Sequence, residues 1–261
     1  MVNSYGFSLF SITAVRHEPS HKAEMVNQAL FGEPFEVVDE IKEWSQIRLT
    51  HDGYIGWVLT QQIQKIDSED YRALIDTPQD LVSDTIDLLE HDSPSKTRTV
   101  VAGSQLPFYN PKDNSIKIGK ENFRFKGRRA TRKRNREELL MNAYLYSNAP
   151  YLWGGRSAFG IDCSGLTQMA YLLTGISLLR DASQQATQGR TVDFLEEAKA
   201  GDLLFFDNEQ GDITHVGLFV RENRILHASN SVRLDGIDQT GIYNSDIGQH
   251  THKLRLIKSH F

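Results

Sequence analysis

Tyr151-Leu152-Trp153-Gly154-Gly155-Arg156-Ser157-Ala158-Phe159-Gly160-Ile161-Asp162-Cys163-Ser164-Gly165-Leu166 decides the fold, because it places the only cysteine of the chain where a helix should begin. Behind the cysteine, Leu166, Met169, Ala170 and Leu173 recur at i, i+3, i+4 and i+7, the spacing of one buried helical face. Gly175 is placed to stop that helix as its C-cap. In front, Gly154, Gly155 and Gly160 mark a turn-rich approach. A thiol in the first turn of a helix feels the positive end of the macrodipole and unpaired N–H groups, and both favour the thiolate. Taken alone, the stretch leaves two readings open, a reactive thiol and a small buried hydrophobe.

The downstream histidines weigh on that choice. Leu203-Leu204-Phe205-Phe206 is apolar throughout and reads as a strand buried on both faces. Thr214 to Val220 and Ile225 to Ser229 read as two further strands joined through Arg221-Glu222-Asn223. With a three-residue loop, Val220 pairs with Arg224 and His227 falls opposite Gly217, so His215 and His227 are diagonal neighbours on one face. A four-residue loop would put them on opposite faces. Val216, Leu218 and Val220 then point the other way into a core, leaving one face polar and the other apolar. Nucleophilic catalysis by a thiol needs a base within hydrogen-bond reach and a third group to hold that base. His215 fits the base and His227 the orienting group. Metal binding by the same two histidines is the competing reading, but no third ligand lies near them at helical or strand spacing.

The totals narrow the class. A chain of 261 residues is long enough for two or three domains. A net charge of −5 argues against a general nucleic-acid partner, and no apolar run has transmembrane length. One cysteine excludes an intrachain disulfide framework and a Cys-based zinc site, and neither metal nor cofactor is expected. Met1-Val2-Asn3-Ser4-Tyr5-Gly6 has neither a basic nor an apolar leader region, so a cytoplasmic location is expected, with export as the alternative had a leader been removed.

Along the chain, residues 1–67 read as short strands, among them Phe35–Val38, Ser45–Leu49 and Tyr54–Val58, with the spacing of a small barrel. Between 68 and 127, Ser68–Leu74 reads as helix, Leu81–Leu89 as strand or helix, and Thr99–Gly103 and Leu106–Tyr109 as extended. Arg124 to Arg136 holds eight basic residues, read as a solvated linker rather than a nucleic-acid patch because no aromatics are interleaved. A helix is expected over 131–147 with Leu139, Leu140 and Ala143 inward, then a polar loop at Arg180–Gln185 and a last strand at Lys253–Ile257.

Five motifs in order carry a resemblance. Pro150-Tyr151-Leu152-Trp153-Gly154-Gly155, Asp162-Cys163-Ser164-Gly165, Gly201–Phe206, His215-Val216-Gly217 and Ile225-Leu226-His227-Ala228-Ser229 together resemble an NlpC-type cell-wall cysteine peptidase over about residues 130–261. The resemblance implies a papain-like α+β domain over 128–261, with Cys163 as nucleophile, His215 as base, His227 as third member and Tyr151 near the oxyanion. Leu178-Leu179-Arg180 stands where the family often has Leu-Pro-Arg, which leaves the loop before Asp181 less determined. Gly32-Glu33-Pro34 through Trp44 to Gly53–Val58 resembles a bacterial SH3-like domain, so 1–67 is expected as one such barrel and 68–127 as a second.

The whole arrangement is similar to the γ-D-glutamyl-L-diamino acid endopeptidases, which cut murein peptides bearing a free N-terminal L-Ala. That similarity implies a murein tripeptide or tetrapeptide as substrate. Asp162, Ser164 and Asp181, with Glu24 and Tyr54 supplied by the first barrel, are the candidate substrate-binding residues, and Asp162, Glu24 and Tyr54 are those expected to meet the ammonium. The alternatives are a wall-peptide-binding protein with a silent peptidase domain, or an acyltransferase or amidase on the same core.

Overall fold

Short β-branched and aromatic strands, broken by glycine and acidic turns, build the first half of the chain. The computed structural model describes residues 4–261; Met1 to Asn3, the first of the residues read for a leader, lie outside them. The chain divides into two compact units between Thr131 and Arg132.

In the first unit, β1 (Ser4–Ser8), β2 (Ile12–Arg16), β3 (Met25–Leu30), β4 (Pro34–Ile41), β5 (Trp44–Leu49), β6 (Ile55–Leu59) and β7 (Ile63–Ile66) form one antiparallel sheet in the order β3-β2-β6-β5-β4-β1-β7. Val15, Ala29, Phe35, Val37, Ile47, Leu49 and Val58 fill its core, every one fully buried. This is the expected SH3-like all-β region. Helix α1 (Ser68–Asp76) follows, capped by the Asp67 side chain, which accepts the N–H groups of Glu69 and Asp70.

Over 68–127, where a second barrel was expected, the strands pair as two separate hairpins, β8 (Ile86–Leu89) with β9 (Arg98–Val101) and β10 (Ser115–Ile118) with β11 (Glu121–Arg124). Of the two readings open for Leu81–Leu89 the extended one holds, with bridges at Leu81 and Val82 leading into β8. Leu106–Tyr109 is a turn rather than a strand, with Phe108 left-handed at φ 55°. Residue 67 is no break in packing. Phe7 and Phe31 from the first sheet share one buried cluster with Val82, Leu89, Val100, Ile116 and Phe123.

The basic run is not a bare solvated linker. Lys126 meets Glu90 at 2.5 Å, Arg128 Nε meets Asp84 at 2.8 Å and Arg129 meets Asp80 at 3.0 Å, while Arg124 lies 3.7 Å from Asp92. Exposed pairs of this kind add little stability. They do cancel the local positive charge that a nucleic-acid patch would need.

In the second unit, α2 (Arg136–Tyr144) is shorter than the expected 131–147. Arg132 is left-handed at φ 52°, and the Asn135 side chain caps the helix by accepting the Glu138 N–H at 2.8 Å. Leu139 and Ala143 are buried as expected, and Leu140 only partly. The small hairpin β12 (Arg156–Ser157) with β13 (Gly160–Ile161) leads into α3 (Cys163–Leu173). Every residue of α3 is buried, not only the expected stripe, because its polar side chains find partners: Gln168 on Leu178 O and Tyr171 on Gly201 O. Gly175, at φ 84°, ends it, with Gly175 N–H on Leu172 O and Ile176 N–H on Tyr171 O, both 2.9 Å.

The remaining elements are α4 (Ala182–Gln185), β14 (Arg190–Val192), β15 (Leu203–Asp207), β16 (Ile213–Phe219), β17 (Arg224–Ser229), β18 (Ser231–Ile237), β19 (Gly241–Asn244) and β20 (Gln249–Ser259). Their order is β14-β20-β15-β16-β17-β18-β19, and β19 pairs back onto β20, so six strands close a ring. Leu204, Phe206, Phe219, Ile225, Ile237, Ile242 and Ile257 share the inner side of that ring as one cluster. His215 pairs across from Phe206 and therefore lies on the same side. The expected polar sheet face is thus the apolar interior of a closed sheet, polar only where the histidines gather.

Gly165 and Gly155 let α3 approach the loop before it. A Cβ on Gly165 would stand 2.3 Å from Gly155 O, a backbone atom that cannot swing aside. Alanine would add about 1 kcal/mol of helix propensity, but overpacking against backbone costs about 1–3 kcal/mol. Gly165→Ala should therefore lower the melting temperature by several degrees, as read by calorimetry; an unchanged or raised value would show the approach to be looser.

Candidate active site

The start of α3 is held by one carboxylate. Asp162 Oδ1 accepts the Gly165 N–H at 2.7 Å, which is helix capping, and Oδ2 accepts the Gly154 N–H at 2.8 Å. Arg180 closes on the same carboxylate in a bidentate pair, Nη1 to Oδ1 at 3.0 Å and Nη2 to Oδ2 at 2.6 Å. Both residues are buried, at 1% and 4% exposure. Arg180 Nη1 also donates to Ser164 Oγ at 2.9 Å. The expected polar loop at Arg180–Gln185 is in part the helix α4. Its buried Gln185 donates to Ser164 O and Leu179 O and accepts from Thr167 Oγ1 at 2.7 Å.

The thiol reaches the sheet through a gap in its pairing. Val220 N–H bonds to Arg224 O and Phe219 N–H to Asp202 O, so even residues of β16 face β17 and odd ones face β15. Pairing between β16 and β17 stops at Gly217 opposite His227. The Val216 N–H therefore has no strand partner, and it hydrogen-bonds to the Cys163 sulfur. That N–H belongs to the peptide joining His215 to Val216.

The three-residue loop expected at Arg221–Asn223 is the one formed, with Glu222 and Asn223 left-handed at φ 51° and 56°. His227 lies opposite Gly217, where a Cβ would come within 2.9 Å of His227 Cβ. The glycine leaves room for the imidazole to lean across to its diagonal neighbour. His215 Nε2 and His227 Nδ1 are 2.9 Å apart. The other His227 nitrogen, Nε2, is 3.0 Å from Asp235 Oδ2. Arg233 donates to both oxygens of Asp235, at 2.8 and 2.9 Å. His252 stacks on His215 with ring centroids 4.2 Å apart. Among the described residues, no group of three or more His, Cys, Asp or Glu side chains is arranged to hold a metal ion.

Burial dominates the electrostatics. It pushes the Cys163 thiol up to about 12, with the Asp162 charge adding to it and the Val216 N–H and Arg180 opposing. The helix start favours the thiolate, as expected of that position, but desolvation of the buried sulfur works against it more strongly. Burial likewise holds His215 well below the ordinary imidazole value, helped by His252 and His227, and pulls His252 down to about 4. Either charge alone is penalised. A proton passed from sulfur to imidazole leaves the net charge unchanged, so that transfer is the route by which the thiolate can form.

Of the other expected site residues, Tyr151 is 36% exposed, its hydroxyl raised to about 12 by burial and then by the Cys163 and Asp162 charges. Ser164 is buried under Arg180, and Asp181 is half-buried at the start of α4. Glu24 and Tyr54 belong to the first unit, exposed and half-buried respectively. They flank the same end of its sheet, where Arg16 pairs with Met25 on one side and Trp57 on the other. Arg180, Gln185, Asp235 and His252 were not singled out from sequence. Asp235 carried a usable signal: with the turn at Asn230, it is the same-face diagonal neighbour of His227, by the register arithmetic that joined the histidines.

Comparison with known proteins gives concordant results. A family model described as "NlpC/P60 family" matches residues 148–255, and one described as "Bacterial dipeptidyl-peptidase Sh3 domain" matches residues 15–63. A gamma-D-glutamyl-L-lysine dipeptidyl-peptidase of Bacillus subtilis (strain 168) is 34% identical over 226 residues, covering 77% of this chain and 71% of the relative. Dipeptidyl-peptidase 6 of Lysinibacillus sphaericus is 27% identical over 88% of this chain and 91% of its own. The crystal structure of an NlpC/P60 family protein from Bacillus cereus ATCC 10987 superposes with a TM-score of 0.81, covering 98% of this chain and 99% of that one at 21% identity, which is a likeness of fold.

The buried Asp162–Arg180 pair should be indispensable to stability. Removing one partner of such a pair leaves an uncompensated buried charge and costs about 3–5 kcal/mol. Asp162→Asn and Arg180→Met should each lower the melting temperature by on the order of 10 °C. A calorimetric change within about 2 °C in both would show the pair to be dispensable.

Proposed function

The chain belongs to the NlpC/P60 family of cysteine peptidases, and from that premise we propose that it hydrolyses the γ-D-glutamyl–L-diamino acid bond of murein peptides with a free N-terminal L-Ala. The observation that carries the reading is the helix-start thiol hydrogen-bonded by the His215–Val216 peptide, with the His215–His227 bond of 2.9 Å behind it. Cys163 is the nucleophile. It passes its proton to His215 Nδ1, the nitrogen not engaged with His227, and attacks the γ-glutamyl carbonyl carbon. The C–N bond then breaks as His215 returns the proton to the leaving amine. Water, deprotonated by the same imidazole, hydrolyses the thioester and regenerates the thiol. Proton transfer of this kind contributes roughly 10²–10⁴ in rate. Tyr151, whose hydroxyl is close enough to feel the Cys163 charge, is the donor we assign to the developing oxyanion.

The substrate ammonium needs an anion in a partly dry site. Both oxygens of Asp162 already hold backbone N–H groups and Arg180, so Asp162 acts on the substrate chiefly by holding Ser164 and Arg180 in place. Asp181, half-buried beside Arg180 and accepting the Gln184 N–H in the capping box of α4, is the carboxylate we assign to the ammonium.

Incubating the pure protein with L-Ala-γ-D-Glu-L-Lys and with its diaminopimelate counterpart, followed by mass spectrometry, tests the activity. Release of L-Ala-γ-D-Glu as free acid is expected, even with an added amine, whereas an amide product would mark an acyltransferase. N-acetylation of the substrate should lower kcat/KM at least ~10-fold, about 1.4 kcal/mol of transition-state binding. Equal cleavage of free and acetylated peptides would remove the ammonium from the recognition scheme. Absence of cleavage of both parent peptides would refute the assignment.

The two histidines should respond differently to substitution. His215→Ala removes the base and should abolish turnover, as should Cys163→Ala. His227→Gln keeps an amide oxygen able to accept from His215 and should retain about 1–10% of activity, on the scale of a general acid–base contribution. Equal, complete loss in His215→Ala and His227→Gln would contradict the division of roles.

A further inference from the structure

The relay does not end at His227. We propose that Asp235, clamped by Arg233, is a positioning residue that sets the tautomers of both histidines and balances the imidazolium formed when Cys163 is deprotonated. The inference rests on the reading of Cys163 and His215 as nucleophile and base.

The argument starts from donors and acceptors. Asp235 is 3% exposed, and Arg233 directs Nε–H to Oδ2 and Nη2–H to Oδ1. A carboxylate held in this way only accepts hydrogen bonds. His227 Nε2, 3.0 Å from Oδ2, must therefore carry its proton and donate it. Neutral His227 then has a bare Nδ1, which can only accept from His215 Nε2–H, 2.9 Å away. Neutral His215 is left with its lone pair on Nδ1, the nitrogen needed to take the thiol proton. One carboxylate thus fixes the protonation pattern two rings away.

Charge follows the same line. Burial works to raise Asp235, but the hydrogen bonds from His227 and Arg233 prevail and hold it below the usual carboxylate range. It is ionised when His215 becomes an imidazolium. The groups around the pair do not replace it. His252, stacked on His215, is kept neutral by burial, and Phe206 covers another side of the ring. On the α3 side the Asp162–Arg180 pair is internally balanced. Arg233 partly offsets Asp235 and is itself held by Asp246 at 2.7 Å and Asn244 at 3.2 Å.

The test uses the full chain with ¹⁵N-labelled histidine. Long-range ¹H–¹⁵N spectra at neutral pH should show both His215 and His227 protonated at Nε2; a proton on His227 Nδ1 overturns the proposal without reference to any substrate. Asp235→Asn removes the balancing charge and should move the His215 titration midpoint to lower pH by about one unit. Arg233→Gln removes the opposing charge and should move it to higher pH. A purely structural role gives no such opposition of sign, so shifts in the same direction, or none, refute the inference. Should Asp235→Asn fail to fold, the wild-type tautomers and the sign of the Arg233→Gln shift decide the matter. In peptide hydrolysis, Asp235→Asn should lower kcat roughly 10–100-fold with KM little changed. If the peptides are not cut at all while the tautomers and titration shifts are as stated, the substrate assignment fails and the relay stands.

Discussion

The Asp162 carboxylate gathers the capping N–H of Gly165, the Gly154 N–H, the Ser164 hydroxyl and both arms of Arg180. These groups come from three stretches of the site, so the start of α3, the glycine loop and the segment before α4 have one shared reference point. A buried ion pair of this kind is weak evidence for net stability, since an apolar replacement could do as well. What it supplies is position. The guanidinium fixes the carboxylate, the carboxylate fixes the first turn of α3, and the first turn carries Cys163 to the gap in the sheet.

That gap is the second constraint. A fully paired β16–β17 edge would have consumed the Val216 N–H, leaving no opening through which a helix N-terminus could meet a strand. The ladder stops at Gly217 instead, and the closed ring of six strands turns His215, His227 and Asp235 toward an apolar interior plugged by Phe206 and Ile225. A dry surrounding raises the cost of every unbalanced charge and strengthens every hydrogen bond that is made. His215 is held neutral at rest for the first reason and bonded tightly to His227 for the second.

Much of this was legible in the sequence, and the exceptions have physical causes. The cysteine at a helix start, the Gly175 stop and the diagonal histidines follow from local rules, since a three-residue loop and a period of two settle the face. The closure of the sheet was not legible, because β19 meets β20 through a pairing that no local pattern announces. Without closure, the histidine face looked like a solvent face rather than an interior. Asp162 was read as a partner for the substrate; in the structure it caps α3 and its charge is paired with Arg180. The helix start left a reactive thiol and a buried one both open, and the extent of burial was not legible, because burial of all eleven α3 residues exceeds what an amphipathic stripe implies.

The two ends of the reactive pair are unequal in a way that bears on how the site works. Moving a proton from sulfur to imidazole creates a dipole whose negative end faces Arg180 and whose positive end faces the Asp235 side. Arg180 lowers the cost of the thiolate, yet the Asp162 bound to it raises that cost by more. The capping role of Asp162 therefore works against the nucleophile it positions. The compensation has to come from the other end of the dipole, and the only buried carboxylate in line with the imidazoles there is Asp235, among the described residues. A structure that anchors its thiol with an anion needs a second anion behind its base, and the strand order places one.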